Sequence, residues 1–200
     1  MNPCIVPIVE GHGEVTAVPV LLRRILERMG VFDIHVAKPL LAKRNQIVRE
    51  HALERKITQA CRKRENAQGI LLLLDTDPDY CPVGVAAQLR QRAEKATHLP
   101  VVVVLAHLEF EAWFLAAKES LRGVRGIADD AVSPDNPESI RGAKGRLSDN
   151  MVGNRRYLPA DDQAALADKM DLEVCLAKSR SFRKLWKDIE SLVSAIKTGQ

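Results

Sequence analysis

The chain has 200 residues, 46% of them hydrophobic and 28% charged, which suits one globular domain with room for a small extension and excludes a disordered or collagen-like chain. Thirty Lys and Arg against 26 Asp and Glu leave a formal charge of +4, which excludes a histone-like polycation and permits a local basic face. Aromatics at 4% argue against base-stacking platforms and for backbone recognition of any bound nucleic acid.

In chain order, Cys4–Val9 is a short, continuously apolar run, as in a strand buried on both faces. Its start, MNPCIVPIVEGHGE, has no basic leader and a carboxylate by position 10, so no signal peptide is expected. Val15–Met29 carries apolar residues at helical spacing, with Pro19 expected in the first turn, where a missing N–H is tolerated. Phe32–Ala37 is a weaker, edge-like strand, and Gln46–Arg64 a more polar helix. Ile70–Leu74 and Val101–Leu105 are two more buried strands, with a helix over Val83–Ala96 between them. This alternation predicts a doubly wound α/β sheet of about four mostly parallel strands flanked by helices.

Beyond Leu105 no further strand is expected. Leu108–Leu121 reads as a helix, Gly123–Pro137 as a loop, and Pro137–Leu147, Asp161–Cys175 and Ser181–Lys197 as helices. The predicted organisation is an α/β core over residues 1–120 with a helical extension over 121–200 packed on it. Cys4, Cys61, Cys81 and Cys175 form no CxxC pair and read as reduced structural thiols. With no apolar run of membrane-spanning length, the expected location is cytoplasmic and away from membranes.

Acidic residues cluster at predicted strand ends. Glu10 ends the first strand and Glu14 opens the next helix. Asp75, Asp77 and Asp79 follow the third strand, and Glu109 and Glu111 the fourth. In a doubly wound sheet these ends share one edge, where ligands bind. Seven converging carboxylates repel one another unless a cation lies between them, and hard cations such as Mg²⁺ or Mn²⁺ suit oxygen donors. Taken singly, Glu14, Asp79 and Glu111 are better explained as charges at helix starts, but all three groups together favour a metal. The turn Glu10-Gly11-His12-Gly13-Glu14 could also cradle a phosphate, but Thr16 stands where GxGxxG has its third glycine. No GxxxxGK[ST] motif is present.

A strand ending EGxxE (Glu10, Glu14) and a later strand ending DxD (Asp75, Asp77) resemble the Toprim fold of topoisomerases, bacterial primases and OLD-type nucleases. LEFEAWFLA (Leu108–Ala116), NPESIRGAKGRL (Asn136–Leu147) and SRSFRKLW near the end resemble the DUF4276 family of OLD-like Toprim proteins. The resemblance implies a Toprim-like core and metal-dependent phosphodiester chemistry, nuclease action on DNA or RNA. It also implies work beside a separate ABC- or AAA-type ATPase in bacterial anti-phage defence.

On that reading two ions are held by Glu10, Asp75 and Asp77, with Glu14 and Glu109 as further ligands. Glu109 and Glu111 are two apart, so a regular helix would turn them to roughly opposite sides, and Glu109 is nearer the strand end. Lys144 is the candidate lysine for the developing phosphorane charge, beside its reading as a solvated helix lysine. Residues 43–64 carry eight basic against two acidic groups, 141–156 five against one, and 178–187 five against none. Such runs are also ordinary solvated faces, but Arg141, Arg146, Arg180, Arg183 and Lys184 are the candidate nucleic-acid contacts.

Three alternatives remain open. Four leucines before Asp75-Thr76-Asp77 mimic the nucleophile motif of haloacid-dehalogenase-like phosphatases, though that motif belongs on a first strand and wants Thr or Val where Asp79 stands. A receiver-like module would need a fifth strand with a following lysine. A non-catalytic subunit could bind an ATPase through the helical tail, with Trp113, Phe114, Phe182 and Trp186 as interface or as core.

Overall fold

The computed structural model describes residues 2–49, 51–63, 66–76 and 82–199. Asp77, Asp79 and Cys81 lie outside them. Strand β1 (Cys4–Val9) leads through helix α1 (Glu14–Arg28) to two-residue strands β2 (His35–Val36) and β3 (Leu40–Leu41). Helices α2 (Arg44–Ile47) and α3 (Ala52–Lys63) precede β4 (Ala67–Asp75). Helix α4 (Pro82–Ala96) then joins β4 to β5 (Val101–Ala106). All pairings are parallel and the order is β2-β1-β4-β5, with β3 also on β1. The fold is therefore mixed α/β with a parallel sheet flanked by helices, as the alternation predicts.

β1 is buried along its whole length, and β4 is buried from Gly69 to Leu74. Both faces are covered, which is why these strands read as unbroken apolar runs. Ile5, Val9, Leu71 and Leu73 face a core shared with α1 and the C-terminal helices. Val6, Ile8, Leu72 and Leu74 face a second core under α3 and α4.

After β5 come α5 (Ala112–Ala116), α6 (Ala143–Ser148), α7 (Pro159–Lys169), α8 (Leu172–Lys178) and α9 (Arg180–Thr198). Helix α7 packs on α1, and α9 lies across β5 and β4, so residues 121–200 complete one face of the sheet. Among the described residues no helix is long and apolar enough to cross a membrane. Cys61 and Cys175 are free thiols.

Several boundaries differ from the sequence reading. Pro19 is the sixth residue of α1, past the first turn, so Val15 lacks the amide that would normally close its hydrogen bond. The stretch expected as one helix from Asp161 to Cys175 is two, because Asp171 leaves the helix and its carboxylate accepts the Glu173 and Val174 N–H groups. The helix expected over Pro137–Leu147 is a short 3₁₀ turn (Pro137–Ser139) followed by α6, separated by Gly142 at φ +71°. Residues 107–111 are a turn and not the start of a helix. Leu108 there has φ +61°.

Candidate functional site

The chain order reverses between β1 and β4. From β1 it runs out to β2 and β3 on one side and returns to β4 on the other. The carboxyl ends of these two strands thus form the switch-point crevice of a doubly wound sheet. Glu10 follows β1 directly, and Asp75 is the last residue of β4.

The turn after β5 is tied to the end of β4. Asp75 Oδ1 accepts the Phe110 N–H at 2.8 Å, and Thr76 Oγ accepts the Leu108 N–H at 2.6 Å. Phe110 is fully buried against Trp113 and Phe114, which anchors the turn in the core. This irregular backbone brings both Glu109 and Glu111 to the same place, and they do not face opposite ways.

Lys144 stands at that place. Its Nζ is 3.3 Å from Glu111 Oε2, 3.5 Å from Glu109 Oε2 and 4.0 Å from Asp75 Oδ2. Glu109 also accepts the backbone N–H groups of Ala143 (2.9 Å) and Lys144 (3.3 Å), so its carboxylate caps α6 and aims the helix that carries Lys144. Glu111 is fully buried. Its Oε1 accepts from Tyr157 Oη at 3.0 Å and from Gln163 Nε2 at 3.3 Å. Glu14 is buried as well, and its Oε2 accepts the Glu10 N–H at 3.2 Å.

Burial dominates the electrostatics. It pushes the Glu14 carboxyl up to about 7, with the charges of Glu111 and Glu10 adding to the rise and the Gly11 and Glu10 N–H groups opposing it. Burial likewise raises Asp75 well above the usual carboxylate range, helped by Glu14 and Glu111 and opposed by Lys144 and the Phe110 N–H. Glu111 is raised by burial against the pull of Lys144. Burial alone would lower Lys144, but Glu111, Asp75 and Glu109 together outweigh it and raise the ammonium.

The donors suit a hard cation. Glu10 Oε2 is buried with no hydrogen-bond partner among the described residues, and buried carboxylate oxygens are seldom left so. Among the described residues no three acidic, histidine or cysteine side chains close into a ready cage, and Lys144 is the cation found among the carboxylates. Glu10, Glu14, Asp75 and Glu109 therefore share one crevice with Lys144, joined by Glu111, Tyr157 and Gln163. The ExE spacing of Glu109 and Glu111 was a signal for Glu111. Nothing local marked Tyr157 or Gln163, which arrive with the extension.

The profile of DUF4276, described as a domain of unknown function, matches residues 9–190. The chain belongs to the DUF4276 family. The C-terminal region of the Xanthomonas campestris pv. campestris OLD protein is similar in two solved structures. The one phased with iodine is 16% identical, with 98% of this chain and 96% of that chain covered at a TM-score of 0.45. The one phased with platinum is 13% identical, with 100% and 98% covered at 0.47. Comparison with curated proteins gives no match.

The basic candidates of this DUF4276 chain separate by position. Arg141 and Arg146 are exposed on either side of Lys144. Arg180 and Lys184 line a cavity of about 530 Å³ that reaches Thr76 and His107 at the crevice. Lys184 also pairs with Asp188. Arg183 instead donates to the carbonyls of Leu176 (2.7 Å) and Ala177 (3.0 Å), closing the end of α8. His12 is exposed in the turn after β1.

Proposed function

We propose that this DUF4276 protein is a divalent-metal-dependent phosphodiesterase of the Toprim type, a nuclease acting on DNA or RNA. The observation that carries the reading is the convergence of Glu10, Asp75 and Glu111 from three strand ends on one crevice with Lys144. In this reading Glu10, Glu14 and Asp75 would hold Mg²⁺ or Mn²⁺, with Asp77, outside the described residues, and Glu111 as further donors. Ions held there would supply Lewis-acid activation of water and charge stabilisation for the leaving oxygen.

The chain's own groups have distinct tasks. Lys144 offers its ammonium to the non-bridging oxygens of the scissile phosphate as negative charge grows there. Glu109 keeps Lys144 aimed by capping α6, and Tyr157 and Gln163 fix the rotamer of Glu111. Arg180 and Lys184 attract the phosphate backbone along their cavity, and Arg141 and Arg146 do so beside Lys144. Arg183 holds the corner between α8 and α9. The motif resemblance to OLD-like proteins and the lack of a P-loop favour action in the bacterial cytoplasm beside a separate ATPase, in anti-phage defence.

The test is cleavage of end-labelled single- and double-stranded DNA and RNA with Mg²⁺ or Mn²⁺. The expected result is metal-dependent cleavage that Asp75→Asn lowers by about 100-fold or more while the far-ultraviolet circular dichroism is kept. Intact substrates with every metal, with and without an added ATPase partner, would overturn the proposal.

A further inference from the structure

A second cavity adjoins the crevice at Glu10, with a volume of about 460 Å³, within the range of small-molecule sites. It lies between α2 and α4. Val85, Leu89 and Arg92 follow one another at helical spacing on α4, and Arg44, Asn45 and Val48 face them from α2 and its end.

The wall is held in place. Arg92 donates to both oxygens of Glu54, at 2.8 and 2.9 Å. The same guanidinium donates to the carbonyls of Ile47 (3.2 Å), Val48 (3.3 Å) and Arg49 (2.9 Å). One side chain thus fastens the open end of α2 to α4 and pre-forms the slot. Val48 is 50% exposed beside it, an apolar surface that nothing else among the described residues covers. The amides of Asn45 and Gln88 reach the same slot and make no hydrogen bond among the described residues.

We infer that this cavity seats a single unstacked nucleobase, that of the nucleotide next to the scissile phosphate. The inference rests on the nuclease reading of the crevice. Val48, Val85 and Leu89 present aliphatic faces to a flat ring. Asn45 and Gln88 present donor and acceptor to its polar edge, the pairing that amide side chains make with bases. A base can enter only when it is out of a duplex, so the preferred substrate is a single strand or a frayed end.

The experiment is saturation-transfer NMR on the metal-free protein, with the eight ribo- and deoxynucleoside 5′-monophosphates as probes. In the wild type the base protons should take up more saturation than the ribose protons. Val85→Trp, which fills the slot, should abolish this. Gln88→Ala, an exposed helix position that cannot disturb the core, should weaken the preferred nucleotide about 5-fold, the value of one hydrogen bond. Base protons that take up no saturation, or take it up equally in both variants, would overturn the inference. Binding is read without cleavage, so base binding without metal-dependent cleavage removes the nuclease reading and leaves the pocket standing. Cleavage with no base binding does the reverse.

Discussion

Lys144 Nζ lies 3.3 Å from the buried Glu111 Oε2, which no hydrogen bond among the described residues otherwise satisfies. A carboxylate from the turn after β5 and an ammonium from the extension thus meet above the sheet edge, and each is the other's main compensation.

Removing the ammonium should therefore destabilise the fold in a pH-dependent way. Lys144→Met leaves Glu111, Asp75 and Glu109 facing one another. Lys144 is about half exposed, so the loss is discounted for solvent to about 1–2 kcal/mol at pH 8. The Lys144 contribution is complete below the ordinary lysine value of 10.5 and fades only as pH rises through its raised folded value. Towards acid it weakens as Glu111 and Asp75 take up protons. Urea melts should show a larger gap between variant and wild type at pH 8 than at pH 5. Equal gaps would show that Lys144 acts by packing alone.

Glu14 carries the opposite sign. Its folded value is about 7 against an ordinary 4.5, so between these pH values the folded state binds more protons than the unfolded state. Its contribution is greatest below 4.5 and is lost as pH rises to about 7, a cost on the order of 3 kcal/mol at full ionisation. Glu14→Gln keeps an acceptor for the Glu10 N–H and cannot ionise. The variant should be more stable than the wild type at pH 8, and the advantage should vanish near pH 4.5. Thermal melts across that range check it.

Gly13 is required by closeness, not by an unusual φ. A Cβ there would lie 2.5 Å from the Pro159 carbonyl oxygen and 2.3 Å from Gln163 Oε1. The start of α1 is pressed against the start of α7, which carries the amide that holds Glu111. Gly13→Ala should cost about 1–3 kcal/mol and displace Gln163. Gly30→Ala, at φ +70° with open space around it, is strained for a different reason and should leave the crevice untouched. A urea midpoint for Gly13→Ala equal to wild type would refute the close docking of α7 on α1.

The parallel sheet was legible in the sequence because burial on both faces writes itself as unbroken apolar runs at β1, β4 and β5. Glu10, Asp75 and Glu109 could be placed at one edge because a strand end is a local feature. The pattern of Leu108–Leu121 misled for a physical reason. Its apolar residues do face the core at helical spacing, but the backbone of 107–111 is bent by acceptors on Asp75 and Thr76, some 32 to 35 residues away in sequence. Tyr157 and Gln163 reach Glu111 only through the docking of α7, and no local signal encodes that. β3, two half-buried leucines, is too short to carry a pattern.

The raised carboxyls of Glu14 and Asp75 give the last prediction. A divalent ion bound by Glu10, Glu14 and Asp75 competes with the protons that Glu14 and Asp75 hold too tightly, so its affinity should rise with pH. At a concentration of about 100 times Kd, an ion that binds only the folded state adds about 2.7 kcal/mol. In a domain of this size that is on the order of 5–10 °C in Tm. Mn²⁺ should raise the Tm of the wild type more at pH 8 than at pH 6. Glu10→Gln removes the charge behind the orphaned Oε2 while keeping the strand end, and should lose most of the shift. Differential scanning calorimetry with Mn²⁺, Mg²⁺ and a chelator control decides it. No metal-induced shift at either pH would remove the ion from the crevice and leave Lys144 as the cation among its described carboxylates.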